Sequence, residues 1–136
     1  MVRIKLFIIQ VIKILMIICT VVDDSNRLDL FSRGKFIVLF TDKNKEILYK
    51  EENPALNSST KRPLVAKECV RLRAEMVIAA HGSLCYPSYS ILKKANVRML
   101  VGNIGDSIYT YSFHSVSKWE VTYSSFLAIK ERLFRR

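Results

Sequence analysis

The chain has 136 residues, a length that suits one domain, and it is half hydrophobic with only four glycines and three prolines, which argues against wholesale disorder. Lys and Arg outnumber Asp and Glu by 22 to 12, and the net charge of +10 favours anionic partners such as nucleic acid, acidic lipid or a small anion. Three widely spaced cysteines, Cys19, Cys69 and Cys85, with no CxxC pair argue against a disulfide framework and a structural zinc site, and reduced thiols fit a cytoplasmic protein.

In chain order, residues 1–15 are an added apolar segment interrupted by Arg3, Lys5, Gln10 and Lys13. The uninterrupted stretch Ile14–Val22 is nine residues, well short of the ~20 that a membrane helix needs, so membrane insertion is not expected. Met16–Val22 reads as a buried strand that ends in the polar turn Asp23-Asp24-Ser25-Asn26. Lys35–Thr41 and Glu46–Tyr49, on either side of Asp42-Lys43-Asn44-Lys45, read as a hairpin. Asn53–Arg62 is a polar loop; its Asn57-Ser58-Ser59 fits a glycosylation sequon, without function in the absence of secretion. Pro63 suits the first turn of a helix that runs to about Arg73. Met76–Ala80 is a fourth strand, Pro87–Lys94 a second helix and Val97–Val101 a fifth strand. Asp106 is placed to cap a helix carrying Ile108, Tyr109, Tyr111 and Phe113. Trp119–Leu133 reads as a closing amphipathic helix, so that residues 16–116 form the α/β body and 117–136 a helical tail.

Strands joined through helices pair in parallel with right-handed crossovers. The expected fold is therefore α/β, with a mixed five-stranded sheet and helices on both faces. The first, fourth and fifth strands end on one edge, which brings Asp23, the loop His81-Gly82-Ser83-Leu84-Cys85, and Gly102-Asn103 together. In open α/β sheets ligands bind outside such strand ends.

Five short segments, Met16–Asp24, Phe31-Ser32-Arg33-Gly34-Lys35-Phe36, Glu52-Asn53-Pro54, Ala74–Gly82 and Ile91–Val97, together resemble the dinitrogenase iron–molybdenum cofactor biosynthesis family, of the NifX and NafY type. The resemblance implies a ribonuclease H-like motif and a non-enzymatic carrier of an iron–sulfur or molybdenum-containing cluster. Phe31 and Arg33 fit the family's pattern, whereas Leu30 stands where the family has a histidine and Cys85 where glycine is usual.

The residues themselves carry two kinds of chemistry. His81 and Cys85 offer an imidazole and a thiol, soft ligands for zinc, copper or iron–sulfur species; equally, His81 can hydrogen-bond a loop and Cys85 can fill a core. Arg33 offers a planar fork for an anion or else a surface ion pair, with Asp23, Phe31, Gly82 and Ser83 completing the binding residues. Asp23 and Asp24 lack the further carboxylates of a two-metal nuclease, and Ser83 and His81 lack a nucleophile elbow, so no catalytic residue is assigned. The alternative to a metallocluster or anion carrier is a basic interaction module that binds nucleic acid or a protein partner, including a second copy of the chain. In that reading the basic tail Lys130, Arg132, Arg135 and Arg136 makes contact, or the last helix packs on the sheet or on another subunit.

Overall fold

The computed structural model describes residues 16–43, 45–109 and 113–134; the added segment 1–15 lies outside them. The elements run β1 (Ile17–Val22), β2 (Phe36–Thr41), β3 (Ile47–Glu52), a 3-10 turn (Pro54–Asn57), α1 (Lys61–Arg71), β4 (Met76–Ala80), α2 (Tyr86–Lys94), β5 (Arg98–Gly102), β6 (His114–Ser115) and α3 (Lys118–Phe134). They build an α/β domain around one mixed sheet of order β3-β2-β1-β4-β5-β6.

β1 occupies the middle. It pairs antiparallel with β2, from Ile17↔Thr41 to Val22↔Phe36, and parallel with β4 at Ile18↔Met76 and Cys19↔Val77. A strand covered on both faces needs apolar residues throughout, and every residue of Ile-Ile-Cys-Thr-Val-Val is buried. Its one hydroxyl is satisfied: Thr20 Oγ1 donates to the carbonyl of Ile78 at 2.5 Å. Alternation divides the core. Cys19, Val21, Ile37, Leu39, Val77 and Ala79 face one side, with Val65, Ala66 and Cys69 of α1 and Leu92 of α2. Ile18, Val22, Val38, Phe40, Ile78 and Ala80 face the other, where Leu28 and Ile108 cover them.

Two expectations are corrected. The sheet has six strands rather than five, because His114–Ser115 pairs antiparallel with β5 at Val101↔His114 and Leu100↔Ser115. Among the described residues helices do not cover both faces: α1 and α2 lie on the first face, and the second is covered by loop residues. The expected helix from Asp106 is one such loop. The carboxylate of Asp106 closes a turn by accepting from Asn103 N–H, its carbonyl accepts from Leu28 N–H, and Ile108 is drawn into the second core. The apolar spacing there serves as a cover for the sheet, not as a helical stripe. Tyr111 lies outside the described residues.

Boundaries follow local chemistry. α1 begins two residues ahead of Pro63, which sits within its first turn, as Pro87 does in α2. α2 ends at Lys94 with Ala95 as its C-cap, and the next residue, Asn96, has a φ of +59° that lets Val97 N–H reach the carbonyl of Leu92. Edge strand β3 carries Lys50, Glu51 and Glu52, charges that discourage pairing with another chain. Among the described residues no helix is long and apolar enough to cross a membrane.

Glu51 is a costly residue on that edge. Its Oε1 is buried with no donor, and burial together with the neighbouring Glu68 pushes its carboxyl above the usual range. Glu68 is itself held below that range by Arg71, whose Nη2 donates to it at 2.9 Å. A carboxyl raised on folding contributes stability below its unfolded pKa and loses it as pH rises through the folded value. Glu51→Gln, which keeps an acceptor for the Tyr49 hydroxyl, is therefore expected to raise the thermal midpoint relative to wild type at pH 7 and to lose that advantage towards pH 4. A midpoint difference that does not change between these pH values would contradict the assignment.

Candidate functional site

β1, β4 and β5 run parallel, so their carboxyl ends form one rim, and His81 N–H donates across it to the carbonyl of Gly102 at 2.7 Å. This is the crevice expected to hold a ligand. The structure fills much of it with α3. Glu120, Ser124, Leu127 and Glu131 recur at spacings of four, three and four, which places them on one helical stripe facing the rim.

Gly82 is the point of attachment. It has φ +97°, and its N–H donates to Glu120 Oε2 at 2.7 Å while its carbonyl accepts from Arg62 Nε at 2.9 Å. A Cβ here would lie 2.9 Å from Leu127 Cδ2, so glycine is required both by conformation and by the closeness of α3. Glu120 is only 6% exposed. Besides Gly82 it accepts from Ser124 Oγ at 2.9 Å and pairs with His81 Nδ1 at 2.6 Å. Because a carboxylate can only accept, the proton of that contact sits on Nδ1. The His81 ring also stacks on Tyr123, with centroids 4.4 Å apart and planes 6° from parallel. One turn from the helix end, Glu131 binds Arg62 Nη1 at 2.8 Å and accepts from Ser32 Oγ at 3.2 Å.

The expected binding residues are thus mostly occupied. Asp23 is on the rim, but its Oδ1 accepts from the N–H groups of Ser25 and Arg27 and shapes the turn. Phe31 is fully buried, and its N–H donates to Ser83 Oγ at 3.1 Å, so these two meet as packing partners. Arg33 is exposed and forks onto Asp29 Oδ1. Cys85 is buried at the N-cap of α2, with Sγ 3.2 Å from Ser88 Oγ. His81 faces Glu120 and Tyr123, and Cys85 faces Ser88; no contact joins the imidazole to the thiol among those described. Among the described residues no three His, Cys, Asp or Glu side chains gather as a metal site.

Beside the filled crevice an open cavity of about 310 Å³ remains between the starts of α1 and α2 and the flank of α3. Lys61, Arg62, Cys85, Tyr86, Ser125 and Arg132 line it, and no acidic side chain does. Arg62 is only 4% exposed; its Nε donates to the Gly82 carbonyl and its Nη1 is ion-paired with Glu131 Oε2, while neither its buried Nη2 nor Glu131 Oε2 has a hydrogen-bond partner among the described residues. Both helices point their positive ends here, and neither N-cap residue, Thr60 or Cys85, supplies a side-chain cap. Three cations, two helix starts and an unsatisfied guanidinium nitrogen at one place are a setting for an anion.

Lys61 and Arg62 were legible as an anomaly, since cations in the first turn of a helix oppose its dipole. Nothing local marks Glu120 and Glu131 as clamps, because their partners come from distant segments.

Glu120→Ala removes the acceptor for the buried Gly82 N–H and for His81. We expect it to destabilise the protein by about 2–3 kcal/mol, with loss of amide-exchange protection along α3 ahead of the sheet. Unchanged protection in Lys118–Phe134 would refute the clamp. No protein-family model and no curated protein matches the sequence.

Proposed function

We propose that the chain is a small non-enzymatic module that binds a compact anion in the cavity formed by Lys61, Arg62 and Arg132 at the starts of α1 and α2. The observation that carries this reading is the buried Arg62 guanidinium, anchored by the Gly82 carbonyl and Glu131 and left with one unpartnered nitrogen. A buried donor without an acceptor costs about 1–3 kcal/mol; Nη2 is closed to solvent as it stands, so an anion in the adjoining cavity relieves that cost once the guanidinium turns towards it.

The cavity volume of about 310 Å³ lies at the lower end of ligand pockets and suits a phosphate-sized oxyanion or a small phosphate ester. An anionic metal–sulfur or molybdenum-containing cluster is a member of the same class, and Cys85 on the cavity wall is the donor in its favour. The same reading extends to the fold. Three antiparallel strands followed by two parallel ones, in the order β3-β2-β1-β4-β5, support a ribonuclease H-like type and, with it, the likeness to nitrogenase cofactor-assembly proteins.

Arg132 is exposed and tests the cavity without disturbing the core. Titration with orthophosphate and with molybdate, followed by calorimetry and amide chemical shifts, is expected to move resonances at Lys61, Tyr86 and Ser125. Arg132→Ala is expected to weaken binding about tenfold by removing one charge-assisted contact. No saturable binding of either anion, or binding of nucleic acid that is indifferent to Arg132→Ala, would overturn the proposal in favour of a diffuse basic surface.

A further inference from the structure

The face of α3 opposite the clamp has no cover among the described residues. Trp119, Phe126 and Leu133 are 81%, 74% and 69% exposed, Ile129 stands among them, and Phe134, 78% exposed, adjoins them at the end of the clamp stripe. Scattered exposed apolar residues are ordinary, but a contiguous apolar stripe on a helix whose other face is already docked calls for a partner.

We propose that this face pairs with the same face of a second copy of the chain, helix against helix in antiparallel fashion about a two-fold axis through Phe126. The argument is the symmetry of the stripe. α3 spans 17 residues, and Phe126 is its midpoint, with Trp119 and Leu133 each seven residues away. Seven-residue spacing keeps side chains on one seam. An antiparallel two-fold sets Phe126 against its own copy, and Trp119 against the partner subunit's Leu133. Large apolar residues thus meet large apolar residues at the centre of the seam and at both ends, as an isologous interface requires.

Charge is compatible with this arrangement. The cation within the stripe, Lys130, falls opposite the partner subunit's Thr122. The two Lys130 residues are offset along the axis by about 12 Å at 1.5 Å per residue, beyond the Debye length of about 8 Å in physiological salt. Area is sufficient as well. With aromatic side chains of about 150–250 Å² each, the stripe exposes on the order of 700–800 Å² per copy, close to the ~800 Å² that one side of a standard interface contributes. Clustered like-sign phosphates, by contrast, offer nothing to Trp119, Phe126 and Leu133.

Sedimentation equilibrium of the intact chain between about 1 and 200 µM is expected to show a monomer–dimer equilibrium. Phe126→Glu is expected to weaken it by about 30-fold or more, the loss typical of a central interface aromatic. Because Phe126 is exposed in the protomer, the circular dichroism of the variant should not change, and its thermal midpoint should match that of dilute, monomeric wild type. Orientation is read by oxidative cross-linking, for which the buried native cysteines are silent. Phe126→Cys should link to itself. Trp119→Cys should link to Leu133→Cys in a mixture of the two variants and not to itself. A monomer throughout the range, a dimer indifferent to Phe126→Glu, or Trp119→Cys linking to itself would overturn the proposal. So would a monomer that sediments with vesicles of equal phosphatidylcholine and phosphatidylserine, since the stripe would then be a lipid anchor.

Discussion

A single residue holds the rim together. Gly82 is gripped at both ends, its N–H by a buried carboxylate of α3 and its carbonyl by a buried guanidinium of α1. Neither charge is tolerable alone in that setting: a buried ion must be paired and hydrogen-bonded. Glu120 is completed by Ser124 and His81, and Arg62 by Glu131. The last helix of the chain, the loop after β4 and the start of α1 are thereby fixed to one another at a position where only glycine has both the conformation and the room.

This arrangement redefines the crevice that an open parallel sheet ordinarily leaves for a ligand. Its centre is filled by the protein's own C-terminal helix, and the residues that would have met a ligand are turned to structural use. What is left open is the flank, where two helices begin and where Arg62 is not fully satisfied. The cavity and the clamp share Arg62, so in the proposed function the side chain that locks α3 down is also the one that presents charge to an anion.

How far the sequence foretells this depends on the range of the interactions. β1, β2, β4, β5 and the three helices are written locally, in runs rich in β-branched residues such as Ile17–Val22 and in proline-marked starts such as Pro63 and Pro87. β6 has two residues and exists only because β5 offers it an edge. Ile108 carries a helical spacing yet is claimed by the second face of the sheet, a choice made by packing. The rim was legible as a place: strand ends, a glycine, and a cluster of chemistry-bearing residues. The roles within it were not, since Ser83 answers to Phe31, His81 to Glu120 and Gly82 to Arg62, all across long separations in the chain. Arg33 and Cys85 were natural candidates that a nearby carboxylate and a nearby hydroxyl respectively absorb.

The pairing of β1 also bears on how the chain is made. Its antiparallel neighbour β2 follows at once, while its parallel neighbour β4 is synthesised only after α1. Until then the emerging polypeptide carries an apolar strand with one open backbone edge, the condition under which nascent chains stick to one another. Loop-closure entropy makes the later docking the slow event. Maturation on the ribosome therefore has a vulnerable interval that lasts from the emergence of Val22 to the emergence of Ala80.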